Sequence, residues 1–253
     1  MISERTFADS FNEFWQDLFP MLTPSFVHLI HSGHEQHITD PIGNELPEVE
    51  SRNKTRDAAI VAEFAYYLFQ EAVVNSLNLS EAKNTTDILK SAQSRAVEVI
   101  NTYEGRIVFP DATLNDDELD EGYQLALRYE AFLRRMGTDC RVTIPVPLRG
   151  AGFLGACQAD MLIGSYLVEI KTVKRNLSGK DIRQLVVYLA LNAAAGNPDW
   201  EYAGFLNPRR STFHKLTSAG LIEHMSGGRA PVDVFSQLID FVCSSDVLFD
   251  SVF

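Results

Sequence analysis

The stretch that constrains this chain most is Asp160-Met161-Leu162-Ile163-Gly164-Ser165-Tyr166-Leu167-Val168-Glu169-Ile170-Lys171. Two β-prone runs flank Gly164-Ser165, a pair suited to a two-residue hairpin turn. Such a turn sets the register: Ile163 faces Tyr166, Leu162 faces Leu167, Met161 faces Val168 and Asp160 faces Glu169. Side chains alternate with period two along a strand, so Lys171 falls on the face of Glu169. Directly opposed carboxylates, with Cβ atoms roughly 4.5–5.5 Å apart, repel and weaken a hairpin. A divalent cation between them reverses that sign, and Mg2+ is typically held by one or two carboxylates with phosphate and water.

The rest of the sequence narrows the setting. A chain of 253 residues that is 45% hydrophobic can bury a full core. Cys140, Cys157 and Cys243 are too scattered for a disulfide framework or a cysteine-only zinc site. Met1 to Arg5 reads as polar and acidic rather than as an apolar leader, and the apolar stretch Leu185 to Ala195 is too short to span a bilayer. A cytoplasmic protein with no membrane partner is expected. The net charge of −12 argues against nonspecific coating of nucleic acid. The charge is uneven, however: Lys171, Lys174, Arg175, Lys180, Arg183, Arg209, Arg210 and Lys215 fall in one segment. They form either a local basic surface beside the hairpin or ordinary solvated charge, and both readings stay open.

In chain order, Phe7, Phe11, Phe14, Trp15, Leu18 and Phe19 predict one amphipathic helix over Thr6 to Leu22, stopped near Pro20 or Pro24. His28, His31, His34 and His37 recur every third residue, but Gly33 is expected to break a helix that would align them. His34-Glu35-Gln36-His37 is one residue short of zinc-protease spacing, so a histidine-rich loop or interface is favoured over a metal site. Helices over 54–77 and about 85–103 form a helical region. A further helix over Glu118 to Met136 carries Glu130 within its apolar arc, where a glutamate is rarely free. Glu130 either pairs with a base such as Arg128 or Arg134 or aims at the hairpin. Asp139 to Leu148 reads as one strand. Gly150 to Gly155 matches GxGxxG but leads into strand-like residues instead of a helix, so it reads as a turn and not a nucleotide loop. Ser178 and Asp181 cap a helix to Ala195 on which Gln184 and Tyr188 share a face. Strands over 201–206 and 213–216 and a closing helix over 232–243 complete the chain.

The order helix, strand, Asp160 strand, Glu169-Ile170-Lys171 strand, Gln184-x3-Tyr188 helix, strand resembles the PD-(D/E)XK nuclease superfamily, and most closely its RecB-like branch, over roughly 118–216. The resemblance implies an α/β (α+β) fold, a restriction-endonuclease-like core with a mixed central sheet flanked by helices. That core would occupy residues 113–226, after a helical N-terminal region (1–112) and before a C-terminal helix in 227–253 packed on it. It implies that Asp160 and Glu169 hold Mg2+ or Mn2+, with Glu130 completing the acidic set. Lys171 would assist the attacking water or the phosphate, and Gln184 and Tyr188 would contact substrate, with Lys174 and Arg175 as neighbouring substrate-binding candidates. The expected activity is a Mg2+-dependent deoxyribonuclease hydrolysing DNA phosphodiester bonds in repair or defence, DNA being preferred to RNA. Lacking an ATP-binding motif, the chain would rely on a separate helicase, ATPase or other protein partner for any motor function. Three scattered cysteines do not supply the four that some relatives give to an iron–sulfur cluster, so none is expected. Two alternatives are a nucleic-acid-binding or adaptor subunit whose activity depends on a partner, and a histidine metalloprotein built on His28 to His37.

Overall fold

In the computed structural model, residues 1–51, 58–104, 113–137 and 141–244 are described. Helices α1 (Glu4–Asp9), α2 (Asn12–Leu18) and α3 (Pro24–His34) lead into strand β1 (Glu35–His37). Helices α4 (Ala58–Val74), α5 (Leu79–Asn84), α6 (Thr86–Glu104) and α7 (Asp116–Met136) follow. Then come strands β2 (Val142–Thr143), β3 (Val146–Leu148), β4 (Cys157–Ala159), β5 (Met161–Ile163) and β6 (Tyr166–Ile170). The chain continues through α8 (Gly179–Ala194), β7 (Tyr202–Asn207), β8 (Thr212–Thr217), α9 (Ser218–Ser226) and α10 (Pro231–Cys243).

Six strands form a mixed sheet in the order β1-β8-β7-β6-β5-β2, while β3 and β4 pair separately. Among the described strands of this sheet, only β6 and β7 run parallel, joined by the helical crossover α8 that parallel pairing requires. Alternation along β6 splits the interior into two layers. Tyr166 and Val168 pack with Met161 and Ile163 against α4 to α7, whereas Leu167 faces a second core built from α1 to α3 and α8 to α10. The fold is therefore a mixed α/β arrangement with helices on both faces of the sheet.

Several sequence expectations shift for physical reasons. The helix foreseen over Thr6 to Leu22 is two helices, because Phe11 adopts a left-handed backbone (φ 55°) between them. Its aromatic stripe still collapses together, with Trp15 Nε1 donating to the Phe7 carbonyl at 3.0 Å. Gly33 does not end α3, which runs through it to His34. A glycine costs a helix only about 1 kcal/mol, and Thr23 caps the first turn by accepting the Phe26 N–H, with Pro24 at the first helical position. The strand foreseen over Asp139 to Leu148 is divided into β2 and β3 around Ile144-Pro145, and residues 138–140 lie outside the described ones. Phe7, Trp15 and Leu18 are buried with α8 and α10, and β1 extends the sheet through β8.

The GxGxxG loop is a structural joint. Phe153 N–H donates to the Val242 carbonyl, and Gly155 N–H to that of Ile2. A Cβ on Gly152 (φ +53°) would run into the Val242 carbonyl, so the glycine lets the end of α10 approach this loop. Among the described residues, no helix is long and apolar enough to cross a membrane.

Candidate active site

The hairpin has the register its turn dictates: Met161 opposite Val168, Leu162 opposite Leu167, Ile163 opposite Tyr166. Gly164 supplies the positive φ (59°) that the first turn position needs. Asp160, just before β5, accepts the Ile170 N–H on Oδ2 at 2.6 Å. That bond fixes the carboxylate at the open end of the hairpin, beside the chain that leaves β6 for α8. Glu169, on β6, is 1% exposed. Its Oε1 accepts from Lys171 Nζ at 2.8 Å, while its buried Oε2 has no partner.

Lys171 is held from two sides. Besides Glu169, its ammonium donates to Gln184 Oε1 at 2.8 Å and lies 4.0 Å from Asp181 Oδ1. Gln184 in turn donates from Nε2 to the Tyr188 hydroxyl at 2.8 Å. The i, i+4 spacing on α8 thus builds a buried relay, Tyr188 to Gln184 to Lys171. The start of α8 is anchored by the expected capping box, in which Asp181 accepts from the Ser178 N–H and from its hydroxyl. Arg175 closes on the same carboxylate with two bonds of 2.6 and 2.9 Å. Burial alone would raise the Asp181 carboxyl; Arg175, Ser178 and Lys171 outweigh it and hold it below the usual range.

These groups border a cleft of about 680 Å³ between α1, α4, the hairpin and the start of α8. Asp160, Lys171, Arg175 and Gln184 line it, and Glu169 sits beneath them. Burial first, and the Glu169 charge second, push the Asp160 carboxyl well above its usual range, against the opposing pull of the Ile170 N–H and Lys171. The second of these causes is a like-charge repulsion between Asp160 and Glu169. Burial also raises Glu63, a cleft residue on α4, with Arg5 partly offsetting it.

Not every residue named from the sequence joins the cleft. Glu130 lies outside its lining: the carboxylate accepts the Leu79 N–H at 3.5 Å and pairs with Arg134 one turn along α7 at 3.7 Å. Its inward position is answered by helix α5 and a neighbouring arginine, the plainer of its two readings. Tyr188 is buried behind Gln184 and does not line the cleft, while Lys174 is exposed and outside it. Besides the capping Asp181, three carboxylates outside the sequence-based candidates also line it, Glu4, Asp9 and Glu63. Glu4 Oε1 lies 3.4 Å from both Gln184 Nε2 and the Tyr188 hydroxyl. Glu63 carried a legible signal, being the single charged residue in the apolar run Ala58 to Phe69. Glu4 carried none, because only the folded chain brings α1 against α8.

The donor set suits a hard divalent cation. It is all oxygen, one buried carboxylate oxygen lacks a hydrogen-bond partner, and burial and the Glu169 charge keep the Asp160 carboxyl raised even with the Lys171 ammonium nearby. Cys157 also borders the cleft, but burial pushes its thiol up to about 12, which leaves it no thiolate at neutral pH. A scan against protein-family models and a search of curated proteins found no match to this chain. The class that fold and site define by themselves is a mixed α/β protein with a carboxylate–lysine cleft at the open end of a β-hairpin.

Proposed function

We propose that this chain is a divalent-metal-dependent nuclease that hydrolyses DNA phosphodiester bonds, on a core of the restriction-endonuclease type. One observation carries the reading: Asp160, one residue beyond the paired end of the hairpin, has a carboxyl raised by burial and by the Glu169 charge, while Glu169 keeps a buried oxygen without a hydrogen-bond partner and is bonded to Lys171. A purely structural hairpin has no use for that repulsion. Mg2+ or Mn2+ would be held by Asp160 and Glu169, with Glu63 taking the part first assigned to Glu130. Such an ion supplies Lewis acidity toward a phosphoryl oxygen and a more acidic bound water.

The chain's own residues do the rest. Lys171, fixed by Glu169 and Gln184, presents a pre-oriented ammonium to charge developing on the phosphate. Gln184 and Tyr188 act as positioning residues behind it. Arg175 is committed to Asp181 and shapes the start of α8, while exposed Lys174 is left to meet phosphates outside the cleft. The test is incubation of the purified chain with circular and linear, single- and double-stranded DNA, with RNA in parallel, in Mg2+ or Mn2+. Cleavage of DNA that disappears in Asp160→Ala and Lys171→Ala supports the reading. Metal binding and DNA binding without cleavage would favour a partner-dependent binding subunit instead.

A further inference from the structure

A second group of ligand-type side chains lies at the β1–β8 edge, away from the hairpin. Its assembly follows from two periodicities. Glu35 stands directly opposite His214 in the antiparallel β1–β8 register. His31 is four residues before Glu35, one turn back on α3, so helix and strand deliver both to the same place. One ligand atom from each of His31, Glu35 and His214 lies within 4.8 Å of the others. The remaining histidines of the every-third-residue series, His28, His34 and His37, are exposed and do not join them.

The three are also underemployed. His31 is 6% and His214 2% exposed, yet the Nδ1 atoms of both are buried without a hydrogen-bond partner, and buried Glu35 Oε1 has only the Arg210 ion pair at 3.3 Å and His31 Nε2 at 3.8 Å beside it. His214 Nε2 lies 3.1 Å from the His31 carbonyl. That contact places the proton on Nε2 and leaves a lone pair on Nδ1, the arrangement in which metal-binding imidazoles are held. Arg210 borders the group, 3.3 Å from both Glu35 Oε1 and His31 Nε2. It answers the glutamate charge in the metal-free chain and has Asn176 Oδ1 at 2.9 Å as its other acceptor.

We propose that His31, Glu35 and His214 form a binding site for Zn2+, separate from the carboxylate cleft, that fastens the end of α3 and the edge strand β1 to β8. Two imidazoles and a carboxylate match zinc's ligand preference, whereas Mg2+ takes oxygen donors. Bonds of about 2.0–2.2 Å in tetrahedral geometry put ligand atoms about 3.4 Å apart, within the 4.8 Å that bounds these atoms here.

The experiment uses the full chain in an Asp160→Asn background, so that the cleft does not compete. Equilibrium dialysis against ZnCl2 with excess MgCl2 is followed by elemental analysis and thermal unfolding. Near-stoichiometric zinc and a raised unfolding temperature are expected. Glu35→Gln and His214→Gln should each weaken zinc binding by about 10-fold or more, with far-UV circular dichroism unchanged. If His214→Gln does not fold, Glu35→Gln carries the comparison. No retained zinc in the parent chain, or equal retention in Glu35→Gln, overturns the proposal.

Discussion

Lys171 Nζ lies 2.8 Å from Glu169 Oε1, and a single residue, Ile170, separates the two at the end of β6. Strand alternation puts both on one face, and burial makes each depend on the other. Removing one member of a buried ion pair typically costs about 3–5 kcal/mol because the remaining charge is stranded. Lys171→Met should fall near the low end of that range, since Lys171 keeps 13% of its side chain exposed. Adding Glu169→Gln should recover most of the loss. Urea unfolding of the single and double variants measures this.

Asp160 predicts a pH signature. Burial and Glu169 raise its carboxyl, so the protonated form is the one the fold prefers. Its contribution is fully present below the ordinary carboxylate range and is lost as pH rises through the raised value. The metal-free chain should therefore lose stability from this group with increasing pH, and Mg2+ should restore most at the alkaline end. His214 works in the opposite direction: its stabilisation is present above 6.5 and lost as pH falls toward about 4. Comparing wild type with Asp160→Asn isolates the first effect, which should vanish in the variant. Without metal, Asp160→Asn should also unfold some degrees higher.

The two candidate third acids separate cleanly. Glu130→Ala removes a half-exposed pair worth about 0–1 kcal/mol and should leave cleavage within a few-fold of wild type. Glu63→Gln should lower Mg2+-dependent cleavage by about 10-fold or more, by analogy with loss of groups that support a metal site. Parallel rate measurements decide between them.

Gln184 links Lys171 to Tyr188, so its loss should act on positioning. Gln184→Ala should reduce kcat by up to about 100-fold, the cost of displacing a reacting group by an ångström, with KM little changed. Tyr188→Phe leaves the Gln184–Lys171 bond in place and should cost far less. A KM that rises while kcat holds would instead make these direct substrate contacts.

The hairpin was legible because its register depends on local facts: a Gly-Ser turn, alternation, and the positions of Asp160, Glu169 and Lys171. The capping box at Ser178 and most helix spans are equally local. What escaped depends on distant partners. Glu4 reaches Gln184 only once α1 packs on α8, and Glu35 meets His214 only once β1 joins the sheet edge. Glu130 illustrates the complementary case. Its inward direction was readable, but the α5 backbone N–H that occupies it was not.

The most direct test of the central claim is the DNA cleavage rate of Asp160→Asn beside wild type, in Mg2+ and in Mn2+. The substitution keeps the side chain's shape, and an amide oxygen can still accept the Ile170 N–H that Asp160 Oδ2 takes. A folded, at least equally stable variant whose cleavage has fallen by about 100-fold or more is predicted, the scale of losing one charge-stabilising group in an active site. Cleavage at the wild-type rate by Asp160→Asn would contradict the account.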